Sequence, residues 1–177
     1  MASKQRFLAR GVLAVAVVLA VAVVAGCAAG GGRRAAEPKP DYAGRLAQYR
    51  RLAIVCAPSG GADPAYAGVI LDQVERMAPS RLDFLERVDV LRNAAVDTAT
   101  VPPSVRLKDA SAYDGVVVLV YSYDGPVVMD MFLLDAGTRE QVWQHRLSTQ
   151  DKNVTERLRR HGWWTPTTIK QQFYGRD

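Results

Sequence analysis

Three segments between residues 115 and 148 constrain the fold most, because each has the composition of a β-strand and tight turns separate them. The first reads GVVVLVYSY, a density of β-branched side chains that is typical of a central strand buried on both faces. Glycine-containing and aspartate-containing turn signals lie between the segments. The segments are Gly115 to Tyr123, Val127 to Leu134 and Glu140 to Ser148, and the turns are 124–126 and 135–138. This pattern predicts an antiparallel meander.

A strand, a glycine loop and a helix are predicted upstream. Leu52 to Ala57 is a short apolar run that stops at Pro58 and two glycines, as a buried strand does. Asp63-Pro64 is typical of a helix start, and apolar residues recur on one face until Pro79, where the helix is expected to end. A second strand, bulged or at a sheet edge, is predicted from Leu82 to Leu91, and 92–112 is expected to be a loop or broken helix. The predicted fold class is α/β (α+β), one small domain with a mixed sheet, an opening strand-helix unit and the carboxy-terminal meander.

The first 27 residues have the layout of a secretory signal peptide. A basic head precedes an apolar run from Gly11 to Ala25, and the small residues of Val24-Ala25-Gly26 lead directly to Cys27. This arrangement resembles the lipobox of bacterial lipoproteins, which implies cleavage before Cys27 and acylation of its sulfur and new amino terminus. The alternatives are an uncleaved membrane anchor or ordinary cleavage, although the apolar run is shorter than the roughly 20 residues of a spanning helix. Within the lipoprotein family, Ala28 after the cysteine implies the outer membrane.

The chain beyond this segment has the size of one domain. Residues 1–26 hold three basic side chains and no acidic one, so the rest carries 20 basic against 18 acidic side chains. Residues 27–41 are rich in glycine and proline and predict a flexible lipidated tether, followed by the α/β domain at 42–150 and a basic carboxy-terminal helix and tail at 151–177. Apart from Cys27 the only cysteine is Cys56, so no intramolecular disulfide can form.

The order of these elements resembles a family of envelope α/β domains. An opening strand, a helix and a short strand precede the meander, which contains Leu134-Asp135, Gly137-Thr138 and Trp143. This order of elements is similar to that of the amino-terminal domain of TolB. The penicillin-binding-protein activator lipoproteins and the curli-secretion lipoprotein belong to the same group. The resemblance covers roughly residues 50 to 150 and implies an assembly or regulatory role, since such domains bind other proteins and catalyse nothing.

Candidate catalytic groups are few. Cys56 and His145 are the pair that a cell-wall hydrolase or transferase would use as thiolate and base, but Cys56 lies inside an apolar strand, which favours an inert thiol. Neither histidine has a second His or Cys at ligand spacing, so no metal site and no cofactor is predicted. Four acidic residues could pair as general acid and base, but three of them fall at or beside turns, which favours solvated turn acids: Asp124, Asp130, Asp135 and Glu140. Ser59-Gly60-Gly61 lacks the lysine of a phosphate loop and is explained by loop geometry.

The basic tail is the remaining feature. A short helix is predicted from Asn153 to Arg160 with an end at Gly162, followed by Trp163-Trp164. Arg157 and Arg160 share a helix face by their spacing, so with Trp163 and Trp164 they are the candidate partner-binding residues. The alternative is a docked tail whose tryptophans complete the core.

The sequence as a whole predicts a non-enzymatic cell-envelope lipoprotein. Lipidated Cys27 would hold it in the membrane, and Ala28 implies the outer membrane. Its domain is expected to face the periplasm and to have a protein of the envelope as its partner. Nucleic acid is not expected as a ligand of an exported protein. The alternative is a cell-wall-acting enzyme that uses Cys56 and His145.

Overall fold

The computed structural model describes residues 46–150 and 152–174. The predicted lipidation site, the tether and the signal segment lie outside these residues. The described chain contains the following elements: β1 (Arg51–Pro58), α1 (Tyr66–Arg81), β2 (Arg87–Val90), β3 (Ala95–Asp97), β4 (Ser104–Arg106), a 3-10 turn (Ala110–Ala112), β5 (Gly115–Tyr123), β6 (Val127–Asp135), β7 (Gln141–Thr149) and α2 (Val154–Tyr174).

Five strands form one mixed sheet in the order β2-β1-β5-β6-β7. β1 runs parallel to both β2 and β5, whereas β5, β6 and β7 form an antiparallel meander. β5 lies in the middle, which explains why its residues from Gly115 to Leu119 are all buried. The predicted fold class, with its strand-helix opening and carboxy-terminal meander, is confirmed.

The two helices cover one face of the sheet. Residues that alternate along β5 and β6, such as Leu119 and Met131, point to this face and are fully buried. α1 contributes Ile70 and Val74, and α2 contributes Leu158, to the same cluster. The main core therefore lies between the helix pair and the sheet.

The opposite face is covered only in part, by the β3–β4 hairpin. Val118 and Phe132 form its buried layer, and Val96 and Val105 of the hairpin pack against that layer. The expectation of a loop or broken helix at 92–112 is therefore wrong, because it contains two short antiparallel strands. Three residues in each strand are too few to give a readable alternation in the sequence.

Two other boundaries differ from the expected ones. The second strand is shorter than predicted and covers only Arg87–Val90. The predicted strand residue Leu82 is instead the C-cap of α1 and is buried there. α1 continues through Pro79 to Arg81, and its last turn is held by the Leu82 N–H, which donates to Ala78 O at 2.8 Å. A proline so near the end of a helix removes one hydrogen bond without stopping the chain from turning.

Two aspartates hold the start of the sheet. Asp114 accepts hydrogen bonds from the backbone N–H of Arg50 at 3.0 Å and of Arg51 at 2.8 Å, and pairs with the Arg51 guanidinium at 2.6 Å. These bonds hold the pKa of Asp114 below its usual value, the side-chain bond from Arg51 being the main cause. Asp135 accepts from the Thr138 N–H at 2.8 Å within the predicted turn. Both carboxylates are therefore structural.

Candidate functional site

α2 continues through Gly162 to Tyr174, so the predicted helix end is wrong. Gly162 is buried against α1, where a Cβ atom would overlap Ile70 O and lie 2.9 Å from Gln73 Cβ. The glycine thus serves a close helix-helix approach and not a helix end. As a result, both tail tryptophans lie in the middle of a helix whose inner face is packed.

Arg157 is turned inward. It is 7% exposed, and its Nη1 donates to Gly125 O in the β5–β6 turn at 2.8 Å. His161, one helical turn further, places Nε2 3.3 Å from Val127 O. Arg157 therefore fastens α2 to the turn, and the prediction that it forms an accessible pair with Arg160 is wrong in that respect.

His161 is fully buried in this contact. Because a carbonyl oxygen only accepts hydrogen bonds, Nε2 carries the ring proton and Nδ1 has no partner among residues 46–150 and 152–174. Burial lowers the pKa of His161, which favours the neutral imidazole. The ring of Trp164 stands edge-on to it, with centroids 6.0 Å apart.

The outer face of α2 carries Trp163 between basic side chains. Trp163 is 44% exposed. Arg159 and Arg160 lie one turn before it and Lys170 two turns after, which places all of them on the same side of the helix. The alternative that the tail tryptophans complete the core is wrong for Trp163, whereas Trp164 is half-buried against His161. Trp143, which is 5% exposed, is part of the main core.

The outer face, defined as Arg159, Arg160, Trp163 and Lys170, is net basic. Glu156 pairs with Arg159 at 3.1 Å and approaches Arg160 at 3.7 Å. Exposed pairs of this kind contribute only about 0–1 kcal/mol, so they exchange readily for carboxylates of another molecule. The sequence pattern did not select Arg159, because Arg157 and Arg160 were expected to share the exposed face. It did not select Lys170, because the helix was expected to end at Gly162.

Cys56 and His145 do not form a catalytic pair. They occupy one row across the sheet, in which Cys56 pairs with Leu119, Leu119 with Met131 and Met131 with His145. Three strand spacings of about 4.8 Å separate them by about 14 Å, far beyond a hydrogen bond. Desolvation also raises the pKa of the Cys56 thiol well above its ordinary value, which disfavours the thiolate.

Asp130 and the glycine loop have structural explanations. Asp130 accepts two hydrogen bonds from the Arg146 guanidinium, at 2.6 and 2.8 Å. Gly60 and Gly61 adopt positive φ angles, 61° and 81°, as the loop interpretation requires. Among the described residues no three His, Cys, Asp or Glu side chains are placed to hold a metal ion. Neither α1 nor α2 is both long and apolar enough to cross a bilayer.

Neither a protein-family model nor a curated protein sequence matches this chain. Solved structures similar to it include TolB from Acinetobacter baumannii, at 15% identity and a TM-score of 0.41, over 78% of this chain and 29% of TolB. The LpoB C-terminal domain from Salmonella enterica has 11% identity and a TM-score of 0.33, over 64% and 96% of the two chains. Lipoprotein GNA1162 from Neisseria meningitidis has 14% identity and a TM-score of 0.33, over 68% and 96%. TolB, whose domain the sequence resembles, is thus among the similar structures, and the similarity concerns the course of the chain alone.

Proposed function

We propose that this chain is a non-enzymatic cell-envelope lipoprotein that binds a protein partner through the outer face of α2. The observation that carries the proposal is Trp163, a 44% exposed tryptophan set between Arg159 and Arg160 on a helix whose inner face is packed. Tryptophan and arginine are the side chains most enriched in interface hot spots. An aromatic ring held on a rigid helix loses little conformational entropy when a partner covers it.

The packing of α2 supports this role. Leu158 and Ile169 are fully buried on its inner side, and Arg157 ties its first turns to the β5–β6 turn. The outer face is therefore presented in one orientation. A partner surface with carboxylates beside an apolar pocket would complement it.

The membrane attachment is part of the same proposal. The basic head, apolar run and Val24-Ala25-Gly26-Cys27 support acylation of Cys27, and each buried methylene of an acyl chain stabilises attachment by about 0.8 kcal/mol. Ala28 favours the outer membrane, with the domain on its periplasmic side. In the Cys27→Ser variant, mass spectrometry of the membrane fraction is expected to find an uncut precursor without the acyl mass. Normal acylation of that variant would exclude the lipoprotein assignment.

The binding face is tested by comparing variants in affinity purification from detergent-solubilised membranes. Trp163→Ala is expected to weaken recovery of the partner about 30-fold, which corresponds to a hot spot of about 2 kcal/mol. Thermal unfolding should be nearly unchanged, because the side chain is outside the core. Arg159→Ala together with Arg160→Ala should also reduce recovery.

Arg76→Ala is the matched control, since Arg76 is an exposed arginine on α1. It is expected to leave recovery unchanged. The proposal for this face fails if Trp163→Ala and the double arginine variant recover the same partners as Arg76→Ala at equal yield. Arg157→Ala is not a binding variant: it is expected to lower stability, because it leaves Gly125 O without its donor.

A further inference from the structure

A small apolar cleft opens beneath the β3–β4 hairpin, on the face of the sheet opposite to the helices. Val116 and Leu134, which pair across β5 and β6, line it together with Pro103 and Leu107. Its volume is about 130 Å³, whereas sites for drug-sized molecules measure about 300–1,000 Å³. An engineered apolar cavity of about 150 Å³ holds one benzene molecule. The cleft therefore matches a single branched or aromatic side chain.

Two exposed arginines flank the cleft. Arg106 belongs to β4 and Arg139 to the β6–β7 turn, and both line the opening. Neither guanidinium makes an ion pair within the described part of the chain. Arg146 on the same face differs, because it is committed to Asp130. The cleft thus has an apolar floor and two positive charges without internal counterions.

The one carboxylate that lines the cleft does not neutralise them. Asp135 accepts hydrogen bonds from the N–H groups of Gly137 at 2.9 Å and Thr138 at 2.8 Å, and from the Tyr49 hydroxyl at 2.9 Å. The backbone bond from Thr138 is the main cause that lowers the pKa of Asp135. Its oxygens are therefore engaged within the turn, so they do not pair with the guanidinium groups, and its remaining negative charge leaves the cleft with a net charge of +1.

A shallower groove continues from the cleft. It has a volume of about 660 Å³ and shares Arg106 and Leu107 with the cleft. Leu91 and Ala94 form apolar parts of its lining, and Lys108 adds a further positive charge. The groove is more open to solvent than the cleft, as is typical of a surface along which an extended peptide lies.

We propose that the cleft and groove bind an extended acidic peptide segment of a protein partner. One apolar side chain of the peptide fills the cleft above Val116 and Leu134, and carboxylates next to it pair with Arg106 and Arg139. Charge complementarity identifies the occupant, since an apolar peptide would leave both guanidinium groups unpaired and a basic one would be repelled. This site lies on the other face of the sheet from α2 and does not depend on the function proposed above.

The site is tested with a fluorescein-labelled peptide, Ser-Gly-Glu-Leu-Glu-Gly-Ser amide, and the full-length chain purified in detergent. Fluorescence anisotropy measures binding. A peptide with serine in place of leucine is expected to bind at least tenfold more weakly, because it buries no apolar side chain. A peptide with glutamine in place of both glutamates should also bind more weakly, and binding of the parent peptide should decrease as salt is added.

Protein variants locate the binding. The double variant Arg106→Gln and Arg139→Gln is expected to weaken binding about tenfold, since an exposed ion pair contributes up to about fivefold. Ala110→Phe, on an exposed position that lines the cleft, should block it. Arg76→Gln is the matched control and should bind as the unchanged protein does. Circular dichroism melting confirms that each variant is folded.

Three results would each overturn the proposal: no binding of the parent peptide at about 1 mM, equal binding of the leucine and serine peptides, or equal affinities of the double variant and Arg76→Gln. Loss of binding in the double variant with retention in Trp163→Ala would separate this site from the outer face of α2.

Discussion

Replacing glycine by alanine at two helical positions is expected to change stability in opposite directions. Both Gly68 in α1 and Gly162 in α2 lie inside helices, where alanine is favoured over glycine by about 1 kcal/mol per residue. A Cβ atom at Gly68 would meet no atom within 4 Å. Gly68→Ala should therefore stabilise the protein by up to about 1 kcal/mol.

At Gly162 the same change forces the helices apart. A Cβ atom there would overlap Ile70 O, and a backbone oxygen cannot rotate away as a side chain does. Overpacking of this kind costs about 1–3 kcal/mol, and the upper end applies because the obstacle is backbone. After subtraction of the helix-propensity gain, Gly162→Ala is expected to destabilise by about 2 kcal/mol.

Thermal unfolding followed by circular dichroism measures both effects. A change of 1 kcal/mol shifts the midpoint by about 2–4 °C in a chain of this size, so Gly162→Ala should unfold about 4–8 °C lower. Gly68→Ala should unfold slightly higher than the unchanged protein. If both variants shift in the same direction, or if Gly162→Ala is the more stable one, the close approach of the two helices is not what selects this glycine.

Three further predictions concern titratable side chains. Cys56→Ala should lower the free energy of unfolding by about 1 kcal/mol and leave partner binding intact. The native Cys56 thiol should react slowly with a thiol reagent at pH 8, because its pKa is raised. A fast reaction would contradict the interpretation of Cys56 as an inert thiol. His161 has a lowered pKa in the folded state, so the unfolded state binds more protons below about pH 6.5 and the free energy of unfolding should fall as the pH drops from 7 towards 5. Urea titrations of His161→Phe should show a flatter dependence over this range, and an unchanged slope would exclude His161 as its source. Asp114→Ala should lower the free energy of unfolding by about 2–3 kcal/mol in urea titrations at pH 7, and this loss should shrink as the pH falls through the lowered pKa of Asp114, where the wild-type carboxylate becomes protonated. A loss that does not change with pH would contradict the role assigned to the carboxylate charge.

The meander was predictable because local sequence determines it. The nine residues from Gly115 are dense in β-branched side chains, and Asp135 closes the β6–β7 turn by accepting hydrogen bonds from the N–H groups of Gly137 and Thr138, two and three residues away. The turn also fixes the order of strands, since tight connections leave antiparallel pairing as the only option.

The candidate site was harder to predict because it depends on contacts between distant segments. Gly162 has the local character of a helix end, yet the approach of Ile70, far away in the chain, gives it another purpose. The spacing of Arg157 is that of a surface residue, but its side chain turns inward and donates a hydrogen bond to the Gly125 carbonyl. The helical pattern of the sequence does not reveal this contact with a distant turn. The β3–β4 hairpin is stabilised mainly by packing against the sheet that it covers, and the strand propensity of its own residues contributes little.

The position of β1 has a consequence for the order of folding. Arg51 at the start of β1 is 63 residues from Asp114, the residue before β5 to which it is hydrogen-bonded. The strands β5, β6 and β7, by contrast, follow one another directly in the chain. Loop closure of that length slows pairing, so we expect the meander to form first and β1 to join late. Synthesis runs the other way and completes β1 before β5 exists. During that interval the apolar run of β1 is exposed and prone to aggregation. Arg50 and Arg51 before the run and Pro58 after it disfavour pairing of the exposed strand with another copy of the chain.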